Sequence, residues 1–140
     1  MRLVHGVLWV VLAVGCNKPA APAATSAGAA DPAVRELSAN LSVSEAEALL
    51  KSSPTAQLID VRTLSERSGG YIAGAKHIPL DQIETRLPEI DKSRTVVLYC
   101  AAGGRSHRAM EILKAAGYLD VRHLADGIAG WKAQGRPLVK

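Results

Sequence analysis

Thr95–Tyr99 (TVVLY) is an unbroken β-branched and apolar run that leads directly into Cys100-Ala101-Ala102-Gly103-Gly104-Arg105-Ser106. A strand with no polar alternation is buried on both faces, as in parallel sheets covered by helices. A helical pattern follows over Ser106–Ala116, with Ala109, Ile112, Leu113 and Ala116 on one stripe and Gly117 as its stop. This strand–loop–helix unit constrains the fold more than any other feature, because a parallel partner strand is reached only by such a crossover.

The rest of the sequence repeats the alternation. Ser42 and Glu45 form a capping box ahead of a helix over Val43–Lys51, whose apolar face is Ala46, Leu49 and Leu50 and which Pro54 ends. Gln57–Val61 (QLIDV) reads as a short strand with Asp60 near its end. Gly69 and Gly70 make a turn before Tyr71–Pro79, and a short helix near Asp81–Leu87 is stopped by Pro88. Val121–Leu124 is another strand, and Ile128–Ala133 a last short helix carrying Trp131. The expectation is an α/β domain over 37–140 with a mostly parallel central sheet and helices on both faces. With no Phe, two Trp and three Tyr, its core rests on Leu, Ile, Val and Ala.

The first 36 residues have a different character. Residues 1–15 (MRLVHGVLWVVLAVG) place a basic Arg2 before the apolar run Val7–Val14, which is too short to span a bilayer and fits the apolar core of a secretory signal. Leu12-Ala13-Val14-Gly15-Cys16 resembles a bacterial lipobox, with Cys16 as the lipidated first residue, although Leu12 stands four places before the Cys instead of three. An ordinary signal peptide cut elsewhere is the alternative. Residues 16–36, rich in Ala and Pro, carry no amphipathic period and read as a disordered tether. The expected location is the bacterial cell envelope, on the periplasmic face of a membrane as a lipoprotein, or otherwise periplasmic or secreted.

Net charge is +4 with no run of Lys or Arg, which supports a weak preference for small anions and no nucleic-acid binding. The two cysteines, Cys16 and Cys100, form no C-x-x-C, and the histidines at 5, 77, 107 and 123 are scattered singly, so neither a metal site nor a cofactor is expected. The bland role of each histidine, on the surface or locally hydrogen-bonded, is the one adopted.

Cys100 is the candidate nucleophile. It follows a buried strand at its carboxyl end, where open α/β sheets place their sites. Small residues let the backbone of Ala101, Ala102, Gly103 and Gly104 curl so that successive N–H groups face the sulfur, and a helix begins beyond. Arg105 adds positive charge. Together these lower the thiol pKa and raise the thiolate fraction. Ser106 is read as a helix-start hydroxyl that also touches the sulfur, His107 as exposed, and Trp131 as core.

Four elements in order resemble the rhodanese-homology family over about 37–138. They are Asp60-Val61-Arg62 with Glu66, Gly70–Ala75 with His77-Ile78-Pro79, the Cys100–Ser106 loop, and Gly127…Trp131…Gly135…Pro137. Tyr71, Ala73 and Asp126 stand where the family usually has His, Pro and Gly. The resemblance implies a rhodanese-like fold and thiosulfate sulfurtransferase activity. The Cys100 thiolate would take the outer sulfur of thiosulfate or a similar donor as a persulfide and pass it to a cellular thiol or to cyanide. It also implies that Ala101–Ser106 hold the persulfide, that Asp60 helps fix the loop, and that Arg62 and Glu66 pair as scaffold. A tethered persulfide carrier is the alternative. An arsenate reductase or phosphatase is disfavoured, since only four residues separate Cys100 from Arg105 and an oxyanion of that size needs a wider loop.

Overall fold

The computed structural model describes residues 39–140; the leader, Cys16 and the whole tether lie outside the described residues. The described chain runs β1 (Asn40–Leu41), α1 (Val43–Ser52), β2 (Gln57–Asp60), α2 (Leu64–Ser68), β3 (Lys76–His77), two 3₁₀ turns (Leu80–Gln82 and Leu87–Glu89), β4 (Val96–Tyr99), α3 (Gly104–Ala115), β5 (Val121–Leu124) and α4 (Gly127–Ala133). The five strands form one sheet in the order β1-β5-β4-β2-β3, and every ladder is parallel. The expected α/β architecture is the one observed.

β4 lies at the centre because it is the strand that tolerates cover on both faces. Val96 and Leu98 join one apolar cluster with Ala109, Met110 and Leu113 of α3. Val97 and Tyr99 join the other, with Val43 and Ala46 of α1 and Ile128 and Trp131 of α4. All four β4 residues are buried. Alternation places Cys100 on the α3 side, inside the first cluster.

Capping sets the helix starts. Ser42 and Glu45 cap α1 reciprocally. Thr63 and Glu66 do the same for α2, a helix the periodicity of the sequence does not announce because it buries no residue. α3 begins at Gly104, two residues ahead of the expected Ser106, so Arg105 belongs to its first turn. The expected helix near 81–87 is corrected. Two 3₁₀ turns flank residues 83–86, and Pro88 sits inside the second turn instead of stopping a helix, since a missing N–H is tolerated there.

At the carboxyl end of the sheet, Asp60 is fully buried and accepts from the Tyr99 hydroxyl at 2.9 Å. Arg62 Nη2 donates to Asp60 Oδ2 at 2.8 Å and to the Gly70 carbonyl at 2.9 Å. The Arg67 guanidinium stacks 3.7 Å from the Tyr71 ring centre, with Nη1 3.6 Å from Asp60. This network ties the ends of β2 and β4 to the 70–72 segment. Burial, and then the charge of Asp60, push the Tyr99 phenol far above its ordinary range, so it stays a donor.

Candidate active site

Cys100 follows β4 and is 2% exposed. Its carbonyl accepts from Ile128 N–H at 2.8 Å, and the Ala101 carbonyl accepts from Ala129 N–H at 3.0 Å. Both carbonyls are thereby engaged by the start of α4. Gly103 N–H donates to Cys100 Sγ at 3.1 Å. Gly103 has φ of 94°, and a Cβ there would collide with the Ala125 carbonyl oxygen. The curl of the loop therefore needs glycine at this position.

Burial pushes the Cys100 thiol up, but hydrogen bonds from Ser106, through both its N–H and its hydroxyl, and from the N–H groups of Ala102 and Gly103 outweigh it. The net effect lowers the thiol below its usual value. The donors in that balance are Ala102, Gly103 and Ser106, three of the loop residues singled out from the spacing, and Gly103 N–H makes the direct bond to the sulfur. Gly104 opens α3, and Ala101 serves through its carbonyl.

Arg105 is placed differently from the sequence expectation. It forms a fork-to-fork pair with Glu66, Nη1 to Oε2 at 2.8 Å and Nη2 to Oε1 at 2.6 Å. The expected Arg62–Glu66 pair is therefore corrected: Arg62 binds the Asp60 carboxylate and meets Glu66 only at its backbone carbonyl, at 3.1 Å. The reason is geometric. Asp60 and Tyr99 are register partners in the β2–β4 ladder, so the chain after each strand emerges at the same sheet edge and sets Glu66 beside Arg105. Asp60 bonds the neighbouring strand end: its partner in β4 is Tyr99, one residue before the nucleophile. Arg105 and the Cys100 thiolate attract, which raises the Arg105 pKa further after the larger effect of Glu66.

Arg105, first, and then Thr63 hold the Glu66 carboxyl down at about 2, against an ordinary 4.5. A carboxylate with a depressed folded value stabilises the fold fully above its unfolded value and loses that contribution as pH falls through the folded one. Wild type should therefore lose more stability between pH 4.5 and about 2 than Glu66→Gln does. The difference is small because the pair is partly exposed. Thermal melts of both proteins across that window check it, and equal slopes would refute it.

Beyond Arg105 lies an open cleft of about 610 Å³. Arg105 and Arg108 face it, with Asp81, Glu84, Leu80 and Ile112 among its other walls. Among the described residues no three His, Cys, Asp or Glu side chains gather as a metal ligand set. His123, read from the sequence as a surface or locally hydrogen-bonded histidine, is the hydrogen-bonded kind: it is buried, with Ser106 on one side and Asn40 on the other, partners the sequence did not indicate. A lone histidine in a strand gives no signal of this.

The Rhodanese-like domain profile matches residues 42–134. A sulfurtransferase of Allochromatium vinosum is 42% identical over 82 residues, covering 59% of this chain and 77% of the relative. The YqhL protein of Bacillus subtilis is 43% identical over 76 residues, covering 54% of this chain and 60% of that one. Among solved structures, a rhodanese-like domain protein from Staphylococcus aureus superposes with a TM-score of 0.64 at 33% identity, covering 72% of this chain and 98% of the other.

Proposed function

Since the chain belongs to the rhodanese-like domain family, we propose that it is a sulfurtransferase that carries sulfane sulfur on Cys100, taking it from thiosulfate or a similar anion. The observation that carries this reading is the set of donors converging on one buried thiol, which favours the anion needed for attack. In the first half-reaction the Cys100 thiolate forms a bond to the outer sulfur of thiosulfate. The sulfur–sulfur bond of the donor breaks and sulfite leaves with the electron pair. In the second, a thiol or cyanide attacks the terminal sulfur of the persulfide, and the Cys100 thiolate departs with its electrons restored. Ala102, Gly103 and Ser106 hold the negative sulfur in both states.

Arg105 stands at the mouth with its charge matched by Glu66, so it guides the donor without trapping it. The adjoining cleft, with both cations and carboxylates on its walls, has room for an acceptor larger than cyanide. The apolar run over 7–14 and the Gly15-Cys16 junction support a lipid-anchored place at the bacterial envelope, with the Ala/Pro-rich segment as tether.

Mass spectrometry of the purified protein after incubation with thiosulfate tests the reading. The peptide holding Cys100 should gain one sulfur atom, and cyanide should remove it as thiocyanate. Protein that keeps an unmodified Cys100 across thiosulfate and other sulfane donors would overturn the proposal. Protein that loads but does not turn over would be a carrier.

A further inference from the structure

The sulfur of Cys100 is the inner end of a buried polar chain whose outer members, His123 and Asn40, the transfer steps leave unused. Ser106 is fully buried. Its hydroxyl acts on the sulfur, lies 2.9 Å from the Gly103 carbonyl, and stands 3.2 Å from His123 Nδ1. His123, in the middle of β5, is 5% exposed. Its Nε2 lies 2.6 Å from Oδ1 of Asn40. Asn40 is the register partner of His123 in the parallel β1–β5 ladder, so the two side chains share a face of the sheet. The exposed ring of His107 stands 5.3 Å from that of His123.

An amide oxygen only accepts, so Asn40 Oδ1 fixes a hydrogen on Nε2 and leaves Nδ1 of the neutral ring bare toward Ser106. The Ser106 hydroxyl has a single hydrogen, with the Gly103 carbonyl and His123 Nδ1 within hydrogen-bond distance, and it also acts on the sulfur, whose pKa it lowers. Protonating Nδ1 changes that competition. The new N–H donates to Ser106 Oγ, one acceptor is lost, and the hydroxyl hydrogen becomes available to Sγ. One proton enters from solvent, and no bond to carbon or sulfur changes. The added positive charge also favours an anionic sulfur.

We infer that His123, held by Asn40 and acting through Ser106, is a positioning residue that couples the ionisation of the Cys100 sulfur to protonation of its own ring. Its use in sulfur transfer rests on the reading above; the coupling itself is a property of the resting thiol. The groups facing the ring are Asn40 from β1 and Ser106, His107 and Lys114 from α3. Burial, then the positive charges of His107 and Lys114, hold the His123 pKa below its usual value against a backbone hydrogen bond at Leu124. The coupling therefore operates on the acid side of neutrality.

The test is the rate of alkylation of Cys100 by iodoacetamide as a function of pH. It uses reduced protein, with the Cys100 peptide quantified by mass spectrometry. A lone thiol loses rate tenfold per pH unit on its acid limb. Wild type should fall less steeply while His123 protonates, leaving a several-fold excess of rate below that step. His123→Gln should restore the simple tenfold fall. Asn40→Asp, at an exposed position, should move the step to higher pH by placing a negative charge on Nε2–H, while His107→Gln should retain the step and, by removing a charge that holds the ring down, shift it upward only modestly. A simple fall in wild type, a step that survives in His123→Gln, or one that vanishes in His107→Gln would each overturn the inference. The assay uses no sulfur donor, so its outcome is separate from that of the adduct measurement.

Discussion

Cys100→Ser yields a folded protein that gains no sulfur from thiosulfate, and its transfer rate drops roughly 10⁴-fold or more. The loss follows from the atom. A serine hydroxyl in the same nest is not appreciably ionised, and its oxygen forms no stable sulfane bond, so neither half-reaction has a starting point. The fold survives because the site already supplies partners to a polar atom there. Gly103 N–H, which bonds Sγ at 3.1 Å, can donate to an oxygen, and a buried hydroxyl with a partner costs about 1 kcal/mol. Mass spectrometry, thiocyanate release and a thermal melt measure the three parts. Sulfur loading at the wild-type rate on Cys100→Ser would remove Cys100 from the chemistry, and mapping that sulfur to Cys16 would name the replacement.

The parts of the molecule legible in the sequence are those specified by near neighbours. TVVLY is buried on both faces because nothing in it prefers water, and the Ser42–Glu45 box caps α1 because both partners lie within one turn. The nest was legible for the same reason, since Cys100, Gly103 and Ser106 are close in the chain. Partners chosen by strand register were not legible. Glu66 has Arg62 four residues away and Arg105 thirty-nine away, and it pairs with the distant one because the β2–β4 ladder brings the strand ends together. Asn40 meets His123 through a two-residue strand, too short to leave a hydrophobic pattern. The Thr63–Glu66 spacing did carry a capping-box signal for α2, but the five-residue helix buries nothing and so adds no periodicity. Charge and composition show that a pair will form. The sheet decides which one.

Gly127→Ala destabilises the domain by about 3 kcal/mol and loosens the nucleophile's loop at the same time. Gly127 has φ of 56°, a region that L side chains enter at some strain. A Cβ there would also lie 2.6 Å from the Ala101 carbonyl carbon and oxygen and from the Cys100 oxygen. Those atoms are all backbone, so no rotamer change relieves the contact. The close approach is what lets Ile128 and Ala129 N–H reach the Cys100 and Ala101 carbonyls. Pushing α4 away lengthens both bonds and frees the loop from its outer clamp. In a domain of this size the melting temperature should fall by roughly 10–20 °C, and alkylation of Cys100 at neutral pH should slow as the nest loses its shape. Gly74→Ala is the matched control. Its φ of 80° carries the conformational strain, but nothing lies within 4 Å of its added Cβ, so only about 1 kcal/mol is expected and no change in thiol reactivity. If the two variants melt together and react alike, the contact between α4 and the loop is not what shapes the nest around Cys100.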